Sequence, residues 1–216
     1  MYPFIYLASQ SPRRQELLQQ MGVRFELLLP SPDEDAESLE IQLKDEAPLD
    51  YVQRVTLAKL EAANQRLQNR GLSASPILCA DTTVAVSFNG HEVILGKPED
   101  DQDGARILSL LSGKTHQVHT AVAIQIKSSS KPLMLVSTSD VTFKTLSSDE
   151  IELYLSSGEH RGKAGAYGIQ GLAACFVENI QGSFSGIMGL PVFETTQLLQ
   201  ESDVQFALSR SKESGI

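Results

Sequence analysis

The apolar and polar positions of the chain repeat with two different periods, which divide it into predicted helices and strands. A 3.6-residue period predicts helices over residues 12–21, 48–69, 100–111, 147–155 and 191–200. Apolar runs and a two-residue period predict strands over residues 4–8, 25–29, 77–88, 92–95, 115–127, 133–143 and 175–180. Because long strands adjoin in sequence, the pattern favours an α/β architecture with a mixed sheet over a regular doubly wound sheet.

The domain organisation follows from where acidic stretches and glycines interrupt this pattern. We expect residues 1–216 to form a single domain, with a cleft between two lobes near residues 30 and 160. The last residues, from about 201 to 216, are expected to form a mobile tail. No internal repeat or heptad seam is visible.

Charge and hydropathy exclude several classes of partner. A net charge of -9 opposes binding to a polyanion, so nucleic acid is not expected as a partner, whereas a few converging cations could still hold a small phosphorylated ligand. No apolar run is long enough for a membrane span and no targeting signal is visible, so we expect a cytoplasmic protein that does not bind membranes. Cys79 and Cys175 both lie in apolar stretches, where a reduced thiol is expected to pack as a small hydrophobe.

The segment from Ser9 to Arg14 has the pattern of an anion site at the start of a helix. Ser11 is a suitable N-cap and Pro12 a suitable first helical residue, which places backbone N–H groups and the positive end of the helix dipole beside Arg13 and Arg14. Two arginines oppose that dipole, and a bound phosphate would relieve the conflict. On local evidence alone, both arginines could instead face solvent or pair with surface carboxylates.

A carboxylate and several cations elsewhere could complete such a site. Asp81 interrupts an otherwise apolar strand, and it is either a structural acid held by backbone N–H groups or a base that activates water. Lys59 lies in an otherwise apolar setting on the helix of residues 48–69, and Lys97 lies on a constrained loop; either could be an ordinary solvated lysine. Glu34, in an acidic loop, could supply an oxygen to a metal or could simply be solvated.

The glycine-rich run from Gly162 to Gly171 permits close approach of the backbone to a ligand but lacks both the phosphate-loop spacing and the dinucleotide fingerprint. Within it, Tyr167 could stack on a ring, and the amide of Gln170 could pair with a pyrimidine edge. The alternative is a tight core crossing closed by the tyrosine. His116 and His119, three apart in a predicted strand, would point to opposite faces, which argues against a metal pair.

Taken together, these segments resemble the Maf family of nucleotide pyrophosphatases from Leu7 to about Leu199. The motifs that carry the resemblance are Leu7-Ala8-Ser9-Gln10-Ser11-Pro12-Arg13-Arg14, Ala80-Asp81-Thr82, Leu95-Gly96-Lys97-Pro98, Leu111-Ser112-Gly113 with Thr120-Ala121-Val122, and Gly189-Leu190-Pro191. The run Lys163-Ala164-Gly165-Ala166-Tyr167-Gly168-Ile169-Gln170-Gly171 is similar to that of the branch acting on dTTP and UTP.

The resemblance implies a fold, an activity and a set of roles. The implied fold is Maf-like and related to that of inosine triphosphatases, with an elongated mixed sheet, flanking helices and two lobes around a cleft. The implied reaction hydrolyses dTTP or UTP to the nucleoside monophosphate and pyrophosphate with Mg²⁺ or Mn²⁺, in a cytoplasmic homodimer. The implied site residues are Asp81 as proton acceptor, Glu34 and Asp81 as metal ligands, and Ser9, Arg13, Arg14, Lys59, Lys97, Thr82 and Gln170 for substrate binding and selection. The alternatives are a pyrophosphatase for 7-methyl-GTP or another modified nucleotide, and a nucleotide-sensing regulator of cell division.

Overall fold

A computed structural model describes residues 1–209 of the protein. Within this range seven strands form one sheet: β1 (Ile5–Leu7), β2 (Phe25–Leu27), β3 (Ile77–Phe88), β4 (His91–Leu95), β5 (Thr115–Gln125), β6 (Leu133–Phe143) and β7 (Val177–Gln181). The α-helices of the same range are α1 (Pro12–Gln20), α2 (Pro48–Asn69), α3 (Asp101–Leu111), α4 (Ser148–Ser156), α5 (Phe184–Met188) and α6 (Val192–Glu201). Short 3-10 segments cover Ser38–Glu40, Ala164–Ala166 and Leu172–Phe176.

The sheet is mixed, as the sequence predicts. Its strand order is β2-β1-β3-β5-β6-β7, with β4 paired to β3 outside that path. β1 runs parallel to β2 and β3, whereas the other pairs are antiparallel. The α/β fold class with a mixed sheet is therefore confirmed.

One edge of β3 changes partner along its length, and this change creates an opening in the sheet. The first part of β3 pairs with β1, where Leu7 lies opposite Leu78. The second part pairs with β4 from Val84 onward, where Val84 lies opposite Leu95. Asp81 lies between these two stretches, so the fold itself places this residue where the sheet opens on that side.

The helices cover the sheet in three clusters of buried side chains. α1 and α6 pack on one face of the β1 end, where Leu18 and Leu199 are both fully buried. α2 packs on the opposite face through Leu60 and Ala63. The strand alternation gives Ile77, Cys79 and Asp81 the face toward α2, because residues two apart in a strand share a side.

The third cluster lies at the other end of the sheet, where α3 and α4 pack with the second half of β3 and the segment of residues 164–176. Phe143 is its largest fully buried side chain. Val84, Val118 and Tyr167 of this cluster also line a cleft at the opening of the sheet beside Asp81.

Several local predictions are wrong in detail. Leu57, expected on the buried face of α2, is exposed because it lies roughly 140° around the helix from Val52 at about 100° per residue. The last predicted strand begins at Val177, since a 3-10 segment takes up Leu172–Phe176 and leaves Cys175 exposed.

The described part of the expected mobile tail is packed against the N-terminus. Val204 forms a bridge with Tyr2, and both Val204 and Phe206 are buried. The amide of Tyr2 donates to the carbonyl of Asp203 at 2.6 Å. The rest of the expected tail, residues 210–216, lies outside the described residues.

Candidate active site

A cleft of about 1180 Å³ opens where β3 changes partner. All nine residues predicted for substrate, base or metal roles line it: Ser9, Arg13, Arg14, Glu34, Lys59, Asp81, Thr82, Lys97 and Gln170. The structure thus brings together residues that lie up to 161 positions apart in the sequence. The volume is ample for a nucleotide, since small-molecule sites commonly measure about 300–1,000 Å³.

Asp81 and Lys59 form a close ion pair in the cleft. Lys59 Nζ donates to Asp81 Oδ1 at 2.6 Å, and the two side chains are 20% and 12% exposed. Burial lowers the pKa of Lys59, but the charges of Asp81 and Glu40 outweigh it, so that this pKa lies above its ordinary value. The lysine is therefore a fixed positive charge beside the carboxylate, and Asp81 Oδ2 has no partner within residues 1–209.

A second carboxylate, which the sequence analysis missed, joins the two predicted lysines. Glu40 Oε1 accepts from Lys59 Nζ at 2.6 Å, and Glu40 Oε2 accepts from Lys97 Nζ at 2.7 Å. Glu40 lies in the 3-10 segment Ser38–Glu40, inside an acidic stretch that gives no local sign of such a contact. Only the folding of this loop over α2 makes the residue part of the cleft.

The two arginines at the start of α1 have different surroundings. Arg14 is bound within the protein: it donates to Gly189 O at 2.7 Å, to Ser9 Oγ at 3.0 Å and to Thr82 Oγ1 at 3.3 Å. Arg13 donates only through Nε, to Met188 O at 3.2 Å, and its two terminal nitrogens have no partner in the described chain. Burial and the neighbouring charge of Arg14 lower the pKa of Arg13. Arg13 is thus available to an anion, whereas Arg14 ties α1 to β3 and to the turn after α5.

Ser9 and Thr82 belong to the network around Arg14. Ser9 Oγ accepts from Arg14 and from the amide of Ser11 at 3.2 Å, so its hydroxyl hydrogen can still donate to a ligand. Thr82 Oγ1 lies 3.0 Å from Thr120 Oγ1, and Thr120 donates to Gly186 O at 2.8 Å. Through these contacts, Thr82 helps to fix the guanidinium of Arg14.

Glu34 lines the cleft, but its carboxylate already has a cationic partner. Arg66 donates to both of its oxygens, at distances from 2.6 to 3.1 Å, and is itself only 6% exposed. These contacts lower the pKa of Glu34 to about 2. Within residues 1–209, no group of three or more His, Cys, Asp or Glu side chains is arranged to hold a metal ion.

The glycine-rich segment closes the other side of the cleft. Gly165 has φ +71° and lies so close to β3 that a Cβ there would meet the side chain of Val84 at 2.8 Å. Tyr167 belongs mainly to the core, since its hydroxyl lies 2.9 Å from His116 Nε2 and its ring packs against Phe143. The structure therefore favours the alternative in which Tyr167 closes a tight core crossing over the one in which it stacks on a ligand ring. Gln170, in contrast, is exposed at the cleft.

Lys163 is a further cation that the sequence analysis gave no role. It lines the cleft and donates to the carbonyl of Glu159. Burial and the nearby charge of Arg13 lower its pKa. Arg13 and Lys163 thus form a positive region, with no ion pair to either residue in the described range.

His116 and His119 point to opposite faces of β5, as predicted. His116 reaches Tyr167, whereas His119 Nδ1 lies 3.0 Å from Thr138 Oγ1. Neither lines the cleft.

This combination of cleft, carboxylate and cations coincides with a family match over nearly the whole chain. A family profile described as Maf-like protein matches residues 4–202. The chain belongs to the Maf family. The resemblance inferred from the motifs is confirmed, and the matched range includes every residue of the site.

Curated relatives align with this chain over almost their full length. A protein of Albidiferax ferrireducens named dTTP/UTP pyrophosphatase is 56% identical over 200 residues, covering 93% of this chain and 97% of its own. Proteins of the same name from Burkholderia pseudomallei and Cupriavidus pinatubonensis are each 54% identical over 95% of this chain, covering 96% and 100% of their own lengths. Among solved structures, the Staphylococcus aureus Ham1 protein is similar with a TM-score of 0.41 and 13% identity, over 64% of this chain and 71% of that one.

No helix within residues 1–209 is both long and apolar enough to cross a membrane.

Proposed function

We propose that this Maf chain hydrolyses dTTP and UTP to the nucleoside monophosphate and pyrophosphate. The observation that carries the proposal is the meeting of Asp81 with cations from separate elements in one cleft, namely Arg13, Lys59, Lys97 and Lys163. The printed name of the curated relatives, which are more than half identical over more than nine-tenths of this chain, supports the choice of substrates.

The cations supply the electrostatic part of the reaction. A triphosphate carries several negative charges. Arg13, at the start of α1, offers two nitrogens that have no partner within the described part of the chain, and Ser9 offers a hydroxyl donor. Donors placed where charge develops on the transferred phosphoryl group commonly contribute roughly 3 to 4 kcal/mol each to lowering a barrier. We assign Arg13, Ser9, Lys59 and Lys97 to the phosphates, and Arg14 to holding this arrangement in place.

Asp81 is the proposed proton acceptor. Lys59 holds Oδ1 at 2.6 Å, which fixes the direction of the carboxylate, and Oδ2 of this cleft residue has no partner among residues 1–209. A water hydrogen-bonded to Oδ2 would transfer its proton there as its oxygen attacks one of the two phosphorus atoms joined by the α,β-bridging oxygen. The bond between that phosphorus and the bridging oxygen breaks, which releases the nucleoside monophosphate and pyrophosphate. The neighbouring ammonium keeps the carboxylate oriented.

The residues present fit a divalent metal that arrives with the substrate. Mg²⁺ typically binds through one or two carboxylates together with substrate phosphates and waters, and Asp81 suits this mode. Glu34 would first have to release Arg66, so its predicted metal role stays a prediction. When bound, Mg²⁺ or Mn²⁺ would supply additional positive charge at the phosphates.

Base selection is assigned to the far side of the cleft. The amide of Gln170 is exposed there and can both donate to and accept from a pyrimidine edge. The hydroxyl of Thr82 already contacts Arg14 and Thr120, so we assign it to holding Arg14 in place, and its predicted role in substrate selection stays a prediction. The homodimer and the cytoplasmic location stay predictions, of which sedimentation velocity tests the first.

A substrate panel with a variant of Asp81 tests the proposal. Purified protein with Mg²⁺ is offered dTTP, UTP, CTP, ATP, GTP and 7-methyl-GTP, and we expect release of pyrophosphate to be fastest with dTTP and UTP. Asp81→Asn should lower kcat by roughly a hundred- to ten-thousand-fold, as expected for loss of a general base. Asp140→Asn is the control, because Asp140 lies outside the cleft and contacts Gln117.

Other outcomes would replace the proposal. Preference for 7-methyl-GTP would assign the chain to the modified-nucleotide alternative. Tight triphosphate binding without turnover under any metal would favour a nucleotide-sensing regulator. Unchanged turnover in Asp81→Asn would remove Asp81 as the base.

A further inference from the structure

The carboxylate of Glu40 occupies both lysines that the proposed function assigns to phosphate. One oxygen contacts Lys59 Nζ at 2.6 Å and the other contacts Lys97 Nζ at 2.7 Å. The two lysines come from α2 and from the loop between β4 and α3, so a single side chain joins two separate parts of the cleft. A phosphate group would need the same two ammonium groups.

The fold holds the backbone of Glu40 in place. The hydroxyl of Tyr51 donates to the carbonyl of Glu40 at 2.9 Å, and Arg54 donates to the carbonyl of Ile41 at 2.9 Å. Arg54 is in turn fixed by Glu46, which contacts its guanidinium at 2.5 and 2.8 Å. The carboxylate can therefore leave the lysines by rotation of its own side chain, without opening of the loop.

The surroundings keep Glu40 ionised. Burial raises the pKa of its carboxyl, but contacts with Lys59 and Lys97 outweigh burial and hold that pKa below its usual value. An ionised carboxylate and a phosphate oxygen are both anionic acceptors for an ammonium, so the two compete directly.

We propose that Glu40 is a displaceable anion of the phosphate site, which a polyphosphate must remove from Lys59 and Lys97 in order to bind. The inference rests on the proposed function, since it takes these two lysines to be phosphate ligands. Glu40 thereby weakens the binding of any ligand that uses both lysines. After hydrolysis, its return to the lysines favours the release of pyrophosphate.

Three single variants separate direct contact from general charge. Glu40→Gln removes the competing charge. Glu40→Asp keeps the charge but is one methylene shorter, so it cannot hold both lysines as Glu40 does. Glu37→Gln removes the same charge from the same loop, at a residue that lines the cleft but has no ion pair within residues 1–209.

Isothermal titration calorimetry with inorganic pyrophosphate in EDTA measures the effect without any need for turnover. We expect Glu40→Gln to bind pyrophosphate about 5- to 10-fold more tightly than the wild type. The reason is that the wild type must first break one or two partly exposed ion pairs of Glu40, which the variant lacks. Glu40→Asp should lie between the two, and Glu37→Gln should remain within about twofold of the wild type. With UTP and Mg²⁺, Glu40→Gln should also show stronger product inhibition by pyrophosphate.

The outcomes distinguish this inference from the proposed function. Equal or weaker binding by Glu40→Gln, or equal gains in Glu40→Gln and Glu37→Gln, would overturn the role of Glu40 while leaving the hydrolase intact. Failure of every protein to bind pyrophosphate or UTP would remove the phosphate role of the lysines, and both proposals with it.

Discussion

The buried imidazole of His116 makes the stability of the fold depend on pH in a calculable way. Its ring is 1% exposed, Nε2 contacts the hydroxyl of Tyr167 at 2.9 Å, and Nδ1 has no partner within residues 1–209. Burial lowers the pKa of His116 to about 4, from an ordinary value of about 6.5. Between these two values the unfolded chain binds a proton that the folded chain does not, so stability falls as pH decreases from about 6.5 to about 4.

The size of this loss follows from the two pKa values. It amounts to roughly 2 kcal/mol at pH 5 relative to pH 8, before it levels off below about pH 4. The glutamine of the His116→Gln variant does not titrate. Between pH 8 and pH 5, the free energy of unfolding of this variant should therefore fall by roughly 2 kcal/mol less than that of the wild type. Burial also lowers the pKa of His119, but this histidine is present in both proteins and its effect cancels in the comparison.

Urea unfolding at pH 5, 6, 7 and 8, followed by circular dichroism, measures the difference. His91→Gln is the matched control, because it makes the same substitution at an exposed position at the start of β4. Parallel plots of unfolding free energy against pH for His116→Gln and the wild type would refute the reasoning. They would mean that His116 does not cause the loss of stability at low pH.

Two further predictions test the cleft and the cysteines. Gln170→Ala should lower kcat/KM for UTP by about tenfold, because the variant loses base contacts of about 1.4 kcal/mol, and it should leave the Kd of pyrophosphate unchanged. Steady-state kinetics measures kcat/KM and calorimetry measures the Kd. Equal losses in both quantities would contradict a role of Gln170 at the base. In the native protein, iodoacetamide should modify the exposed Cys175 and spare Cys79, because Cys79 is fully buried and burial raises the pKa of its thiol to about 11. Mass spectrometry of the peptides measures the labelling, and equal labelling of the two cysteines would contradict this prediction.

The long elements could be predicted from the sequence because many residues contribute to each pattern. The bounds of α2, β3 and β6 agree with the predicted ranges of residues 48–69, 77–88 and 133–143. The helix α5 was not predicted, since five residues carry no reliable period. Its stability comes from contacts across the fold, including the bond from Thr120 to Gly186 O and the cap that Ser183 provides.

The site could be predicted only where a residue stood out from its local surroundings. Asp81 did so as a carboxylate within an apolar strand, and Arg13 and Arg14 did so as arginines at a helix start. Glu40 did not, because it is one of several acids in the loop of residues 30–45 and its partners lie 19 and 57 positions further along the chain. The pairing of Glu34 with Arg66 was missed for the same reason, since 32 residues separate the two.

The cysteines show the limit of reading burial from apolar neighbours. Cys79 is buried, as expected for its strand, where alternate residues face α2. Cys175 has equally apolar neighbours but lies in a 3-10 segment, which turns some of its side chains outward. Both cysteines have apolar neighbours in the sequence, so the backbone conformation decides which of the two is buried.

We propose that the cleft cleaves a nucleoside triphosphate between its α and β phosphates. Phosphorus-31 NMR of UTP incubated with the protein and Mg²⁺ tests it most directly, because it identifies both products at once. We predict that UMP and pyrophosphate appear together in equal amounts as UTP disappears. Formation of UDP and orthophosphate as the first products would contradict the claim.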